Sequence, residues 1–264
     1  MGSCTRFSAW SVIMLNSQST ISNSKPKYKL VSFSISKDEL KKSLDLNYEY
    51  SEEDFEYLFI FGGDGSFIHY AKQYAFQGKK IVGIKNGNLS FLSKFSNLPK
   101  HPLESSTFHD LYLLEVTGGD SHYAFNDLYI SGDLMLELKI SINNDYLESF
   151  RGSGLLFSTP IGSTAFNRSL NGPILFPTVN SWIMKKLGSQ RTNKIRSITN
   201  DMIFPADYEV GISNIKGGRF YIDGSPVNLE SSNLKIRFVK AESKILVFDS
   251  LSDYISRLNS ELVG

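Results

Sequence analysis

Five consecutive apolar residues, Tyr57-Leu58-Phe59-Ile60-Phe61, run straight into Gly62-Gly63-Asp64-Gly65-Ser66. Beyond that turn Phe67, Ile68, Ala71, Tyr74 and Ala75 recur at helical intervals. A short continuous apolar run needs cover on both faces, and a parallel sheet flanked by helices supplies it. A strand, a tight glycine turn and an amphipathic helix therefore commit this stretch to an α/β layer. Its neighbours agree. Tyr28 to Ile35 mixes aromatic and β-branched residues as a strand does, and regular structure is expected to begin at Tyr28. Ser36 to Leu46 places Leu40 and Leu44 at helical spacing, with Ser36 or Asp38 as caps, and Ile81 to Ile84 reads as the next strand. Residues 28 to about 100 should alternate strand and helix around parallel strands.

Past residue 110 the texture changes to strand-like runs: Leu111 to Val116, Tyr123 to Ile130, Leu134 to Ile142, Gly154 to Ser158, Tyr208 to Ile212, Arg219 to Ile222, Leu234 to Val239 and Ile245 to Phe248. Turn chemistry separates them at Thr117-Gly118-Gly119-Asp120, Asn143-Asn144, Lys216-Gly217-Gly218 and Asp223-Gly224. Closely spaced strands of this kind predict a sandwich or a partly open barrel. Asp249 to Leu262 carries Leu251, Tyr254, Ile255, Leu258 and Leu262 at helical spacing and should pack back on the fold. The expected organisation is a flexible extension over 1–26, an α/β domain over 27–109 to which 249–264 returns, and a β-rich domain over 110–248.

Composition narrows the function classes. With 28 Lys+Arg against 27 Asp+Glu, the net charge of +1 argues against gripping nucleic acid by bulk charge. A phosphate-bearing partner must be held by local groups. One cysteine, Cys4, excludes a disulfide framework and a cysteine-ligated zinc site. His69, His101, His109 and His122 show no His-Glu-x-x-His spacing, and no apolar run approaches the roughly 20 residues that span a bilayer. A Gly-x4-Gly-Lys-Ser/Thr loop and a spaced Gly-x-Gly-x-x-Gly fingerprint are both missing, which disfavours P-loop kinases and dehydrogenases. A cytoplasmic protein without membrane or nucleic-acid partners is expected.

The glycine turn suits phosphate. Gly63 and Gly65 leave their amides unobstructed, and the following helix adds partial positive charge at its N-terminus. Asp64 is electrostatically awkward there unless it serves a metal ion or acts as a base toward a substrate hydroxyl. The plainer alternative is a connecting turn in which Asp64 caps the helix.

Gly-Gly-Asp-Gly after an apolar strand resembles a motif shared by NAD kinases, lipid kinases and 6-phosphofructokinases. The run from Arg151-Gly152-Ser153-Gly154 through Ser158-Thr159-Pro160-Ile161-Gly162-Ser163-Thr164-Ala165-Phe166-Asn167-Arg168-Ser169 to Gly172-Pro173 closely resembles the long NAD kinase signature. Asn126-Asp127 is similar to that family's Asn-Glu pair, and Gly87-Asn88-Leu89-Ser90-Phe91-Leu92 to its Gly-x-Leu-Gly-Phe-Leu segment. The four motifs stand in the family's order.

The resemblance implies a Rossmann-like α/β domain joined to a β-sandwich-like domain. It implies ATP- or polyphosphate-dependent phosphorylation of the adenosine ribose 2′-hydroxyl of NAD, with Mg2+ or another divalent cation and assembly as a homodimer or homotetramer. Asp64 would be the catalytic base. Gly63, Gly65, Asn126, Asp127, Arg151, Ser153, Thr164, Ala165, Phe166, Asn167 and Ser169 would bind substrate. By their local chemistry Ser163 or Thr164 would be an N-cap, and the hydroxyls of this run with the Phe166 ring suit an adenine. Asp223-Gly224 reads as a hairpin turn, and the resemblance puts it close to the family's late nucleotide-contacting segment. The chain departs from the family at Asp127 (for Glu), Ser153 (for Asp), Phe166 (for Tyr) and Ser90 (for Gly). A lipid kinase sharing the glycine turn and a non-catalytic dinucleotide sensor are the alternatives.

Overall fold

The computed structural model describes residues 25–32, 37–85, 90–95, 99, 103–190, 196–229 and 231–263. Most of the expected extension, Ser36, and Gly87, Asn88 and Leu89 lie outside them.

The first third alternates as its periodicity requires. Strands β1 (Lys27–Ser32), β3 (Tyr57–Gly62) and β4 (Lys80–Lys85) pair in parallel, with α1 (Lys37–Leu44) after β1, a two-residue strand β2 (Glu49–Tyr50) at the edge, and α2 (Asp64–Gln73) between β3 and β4. Every residue of β3 is buried, which explains its unbroken apolar run. Phe67 and Ala71 turn the inner face of α2 onto the sheet.

The remaining strands are antiparallel apart from one junction. They are β5 (His109–Thr117), β6 (Ser121–Ala124), β7 (Asp127–Ile142), β8 (Asp145–Ser158), β9 (Ser181–Leu187), β10 (Met202–Pro205), β11 (Glu209–Ile222), β12 (Ser225–Val227) and β13 (Leu234–Leu246). Between β8 and β9 lies the four-residue helix α3 (Phe166–Ser169), and α4 (Leu251–Leu258) closes the chain. The main ladder runs β10-β9-β8-β7-β11-β13-β4-β3-β1-β2, with β5 on β13, β6 on β5 and β12 on β11. Strand β13 is the hinge of this arrangement. Its first part pairs antiparallel with β11 and β5, while Lys244 to Leu246 pair parallel with Lys80 to Val82 of β4. One hydrogen-bonded sheet thus carries both the α/β layer and the β-rich part. The β-rich core is built around Trp182, Phe157, Phe150 and Ile236, and a second core under α2 and α4 joins Phe67 and Ala71 to Leu111, Phe125, Ile245 and Tyr254.

Several expectations need correction. The runs Leu234 to Val239 and Ile245 to Phe248 are not separate strands: β13 continues to Leu246, because pairing resumes after a register shift between Lys240 and Lys244, and Val247 and Phe248 lie beyond its end. Lys216-Gly217-Gly218 is an irregularity inside β11, with Gly217 at φ 71°, since both flanks keep β7 as partner. Tyr123 to Ile130 is broken at Phe125-Asn126, and Leu128 and Leu136 belong to one long strand, β7. Helix α2 begins at Asp64, three residues earlier than its apolar period, because the glycine turn is itself the first helical turn. Strands β2, β9 and β10 were absent from the sequence reading; lysines within Trp182-Ile183-Met184-Lys185-Lys186 disguised a buried strand. Lys185 bonds Asp201, and Lys186 bonds the buried Glu148.

Candidate active site

The site is assembled from the end of β3, the segment 90–95 after β4, the turn between β6 and β7, and the loop between β8 and β9. Gly63 is the N-cap of α2 and lends no side chain to it, so Asp64 is the first helical residue. Its carboxylate does not cap the helix. It crosses to the segment after β4, where Oδ1 accepts from the Ser90 hydroxyl at 2.6 Å and from the Leu92 amide at 2.9 Å. Oδ2 accepts from the Phe91 amide at 3.0 Å. That segment can lie so close because β4 carries Gly83, where a side chain would meet the Ser93 Cα and the Phe67 ring, each at 2.9 Å. Space above Gly63 and Gly65 is open, with nothing within 4 Å of where a Cβ would stand, so a ligand can reach this turn.

Asp64, Ser90, Phe91 and Leu92 line a cleft of 260 Å³ together with Asn126, Ile161, Thr164 and Ala165 and, from the C-terminal segment, Glu261 and Leu262. The loop after β8 docks on Asn126 through Gly162: a Cβ there would stand 2.0 Å from the Asn126 carbonyl oxygen. The Thr159 hydroxyl and amide further bond the Phe125 and Asn126 carbonyls at 2.8 and 2.9 Å. Asn126 and Ala165 continue into an adjoining cavity of 450 Å³ lined by Asp127, Tyr129, Phe166, Tyr221 and Asp223. Phe166 stands edge-on to Tyr129, with centroids 5.3 Å apart, and Tyr129 stacks on Tyr221 at 6.0 Å. This is an open aromatic platform of the kind that holds a flat base.

The electrostatics of the turn at Asn126 are set by Asp223, which the sequence marks as a hairpin turn close to the family's late nucleotide-contacting segment. Asp223 and Gly224, at φ 49° and 77°, do turn β11 into β12. The Asp223 carboxylate then accepts from the Phe125, Asn126 and Asp127 amides at 3.1, 2.7 and 3.2 Å and pairs with Lys72 of α2 at 2.7 Å. Asp127, 5% exposed, sits beside it. Burial, with the Asp223 charge adding to it, pushes the Asp127 carboxyl up to about 7.

The remaining sequence candidates are placed as follows. Gly65 faces a third cavity, of 430 Å³, shared with His69, Lys72, His122 and Asp223. Asn167 is buried, its amide donating to the Ser163 and Pro173 carbonyls. Ser169 is exposed on α3. The N-cap expected at Ser163 or Thr164 is instead Ala165, because both hydroxyls donate to backbone carbonyls: Ser163 to Pro160 at 2.6 Å and Thr164 to Ile161 at 2.9 Å. Arg151 and Ser153 are not brought to Asp64. Arg151 pairs with Glu137 at 3.1 Å and lines a separate cavity of 720 Å³ with Arg196 and Lys216, while Ser153 is exposed on β8. The residues that sequence reasoning missed are Tyr129, Tyr221 and the anchoring role of Asp223. The Asp-Gly turn signature and the pair's closeness to the family's late nucleotide-contacting segment both pointed to Asp223, but neither showed the amides it anchors.

A carboxylate held at a helix N-terminus, facing a groove of hydroxyl, amide and aromatic groups, defines a nucleotide-binding phosphotransferase of the non-P-loop kind. The comparisons make the class particular. The fold is similar to that of the yeast NADH kinase solved with NADH (TM-score 0.70, 16% identity, 92% of this chain and 88% of that one). It is also similar to an NAD kinase from Archaeoglobus fulgidus solved with ATP (TM-score 0.68, 14% identity, 88% of this chain and 99% of that one). Residues 128–206 match the ATP-NAD kinase C-terminal domain. The NAD kinase of Ureaplasma parvum is 32% identical over 237 residues, covering 86% of this chain and 88% of its own length. That of Mycoplasmoides gallisepticum is 32% identical over 223 residues, covering 79% and 81%. This chain belongs to the NAD kinase family.

Proposed function

We propose that the protein transfers a phosphoryl group from ATP to the 2′-hydroxyl of the adenosine ribose of NAD, giving NADP. The observation that carries this reading is that Asp64 lines one cleft with Asn126, Thr164 and Ala165, and that Asn126 and Ala165 also line the adjoining cavity of Asp127, Tyr129 and Phe166. In a loose phosphoryl-transfer transition state positioning matters more than base strength. Asp64 orients the ribose hydroxyl and takes its proton, Asn126 and Asp127 hold the nucleotide's polar edge, and Phe166 flanks its ring. The amides of the glycine turn face the donor phosphates.

Among the described residues no three or more of His, Cys, Asp and Glu cluster to hold a metal ion. Mg2+ commonly takes few protein carboxylates and fills its shell with phosphate oxygens and water, so such a cation would be held chiefly by the nucleotide phosphates facing the glycine turn. When bound, the cation neutralises charge on the phosphates. We further read 27–109 with 249–264 and 110–248 as the two functional units, the reaction as cytoplasmic, and the working form as a homodimer or homotetramer. Arg151, Ser153, Asn167 and Ser169 keep their expected substrate-binding roles only as part of this proposal.

The test is direct. Purified protein with NAD, ATP and Mg2+ should yield NADP, read by an NADP-specific dehydrogenase. Dinucleotide binding without any NADP would instead make the protein a sensor and overturn the proposal.

A further inference from the structure

Asp64 does not meet its cleft unaided. The segment that receives it is fixed from both sides. On one side Phe95 bridges to β4, the Lys85 amide donating to the Phe95 carbonyl at 2.6 Å. On the other, Arg257 of α4 donates to the Phe91 and Ser93 carbonyls at 2.7 and 3.0 Å, and Lys94 pairs with Asp249 and Asp253. With those carbonyls tied to α4, the Phe91 and Leu92 amides are left to face Asp64. Ser90 lies at the start of this clamp and is 5% exposed. Its Oγ accepts from the Ser93 amide at 3.1 Å, so its own proton has one good acceptor, Asp64 Oδ1.

The lone pairs then distinguish the two carboxylate oxygens. An ionised carboxylate offers about four acceptor positions, two on each oxygen. On Oδ1 both are taken, by Ser90 and Leu92, whereas on Oδ2 Phe91 is the one partner among the described residues. Among those residues one acceptor position on Oδ2 has no donor, and Asp64 lines the cleft.

The geometry assigns Ser90 as a positioning residue that saturates Oδ1 and makes Oδ2 the atom that receives the substrate proton. This rests on the reading of Asp64 as the base. In the step, the ribose oxygen forms a bond to the transferred phosphorus as the bond from that phosphorus to the donor's bridging oxygen breaks. The hydroxyl proton goes to Asp64 Oδ2. Ser90 acts through Asp64: it holds the carboxylate plane at the angle where one oxygen is filled by its hydroxyl and the Leu92 amide while the other accepts from Phe91 alone among the described residues.

The experiment compares wild type, Ser90→Ala, Ser90→Thr, Asp64→Asn and the Asp64→Asn/Ser90→Ala double variant by steady-state NADP formation, with NAD affinity measured by calorimetry. Loss of one charge-assisted hydrogen bond should lower kcat about tenfold in Ser90→Ala. KM and affinity for NAD should stay within about twofold, because the other two donors keep the cleft wall in place. Ser90→Thr, which retains the hydroxyl, should recover most of kcat. In the Asp64→Asn background Ser90→Ala should have no further effect, since Ser90 acts only through that carboxylate. Unchanged kcat in Ser90→Ala, or a tenfold loss persisting without Asp64, would overturn the assignment. If Ser90→Ala fails to fold, Ser90→Cys carries the same expectation. A wild-type protein that forms no NADP would sink the reading of Asp64 and this assignment together, whereas an active wild type with an indifferent Ser90 would sink only the latter.

Discussion

Two aspartates in this protein sit in similar surroundings, and the proposed function gives them opposite uses. Asp64 accepts from one hydroxyl and two backbone amides; Asp223 accepts from three backbone amides and pairs with Lys72. The difference is one partner. On Asp223 both oxygens carry two donors each, so its side chain, 6% exposed, has nothing left to offer a ligand and serves as a tie between α2, the Asn126 turn and the β11–β12 hairpin. On Asp64 one acceptor position has no donor among the described residues. Burial alone therefore does not tell a chemical carboxylate from a structural one, and counting donors against lone pairs does. Asp127 is the third case. No hydrogen bond offsets its burial in the way these donors do for Asp223, and its carboxyl is pushed up to about 7.

The comparison breaks most decisively at Asp64. Asp64→Asn should lower kcat by about 1,000-fold, roughly 4 kcal/mol of barrier, with NAD affinity close to wild type. Calorimetric binding beside the dehydrogenase-coupled rate checks this, and an equal loss of binding would make Asp64 structural like Asp223. Asp223→Asn should do the reverse. It leaves Lys72 unpaired and puts an amide donor among amide donors, so unfolding in urea should show a loss of about 3 kcal/mol, with a raised KM for NAD as the Asn126 turn loosens. If kcat alone fell, the two aspartates would have to exchange roles.

Asp127 sharpens the contrast through pH. Its folded-state carboxyl titrates above the unfolded value near 4, so the folded chain holds a proton that the unfolded chain releases. Stability should therefore fall as pH rises from about 4 to 7 and level off above. Asp127→Asn should flatten that slope and add about 2 kcal/mol at pH 8, read as the urea midpoint across pH. The smallest effect is expected at the platform, where Phe166→Leu should raise KM for NAD by a fewfold, about 1 kcal/mol, with kcat retained.

The glycine turn, the parallel strands around it and the Asn126-Asp127 pair were legible because each is local: an apolar run, a helical period or a dipeptide states its own backbone preference. At Asp223 the turn and the nearness to the family's late nucleotide-contacting segment were legible but its anchoring bonds were not, since the amides it binds lie about 97 residues away in the chain. The platform of Tyr129 and Tyr221 was invisible for a related reason: alternate residues on two strands become neighbours only once register is set, here by the direct pairing of Tyr129 with Tyr221. Strand β9 was hidden by lysines that find acidic partners elsewhere in the chain.

By itself, then, the sequence determined the strand–turn–helix carrying Asp64, the order of layers and the family, because those follow from patterns within a few residues. Only the tertiary structure decided that β13 would join both halves into a single sheet, that Ser90 and two amides would receive Asp64, and that Asp223 rather than Asp64 would be fully occupied. Those outcomes depend on which donors arrive from distant segments, and hydrogen-bond partnership across a fold is fixed by packing, not by neighbours along the chain.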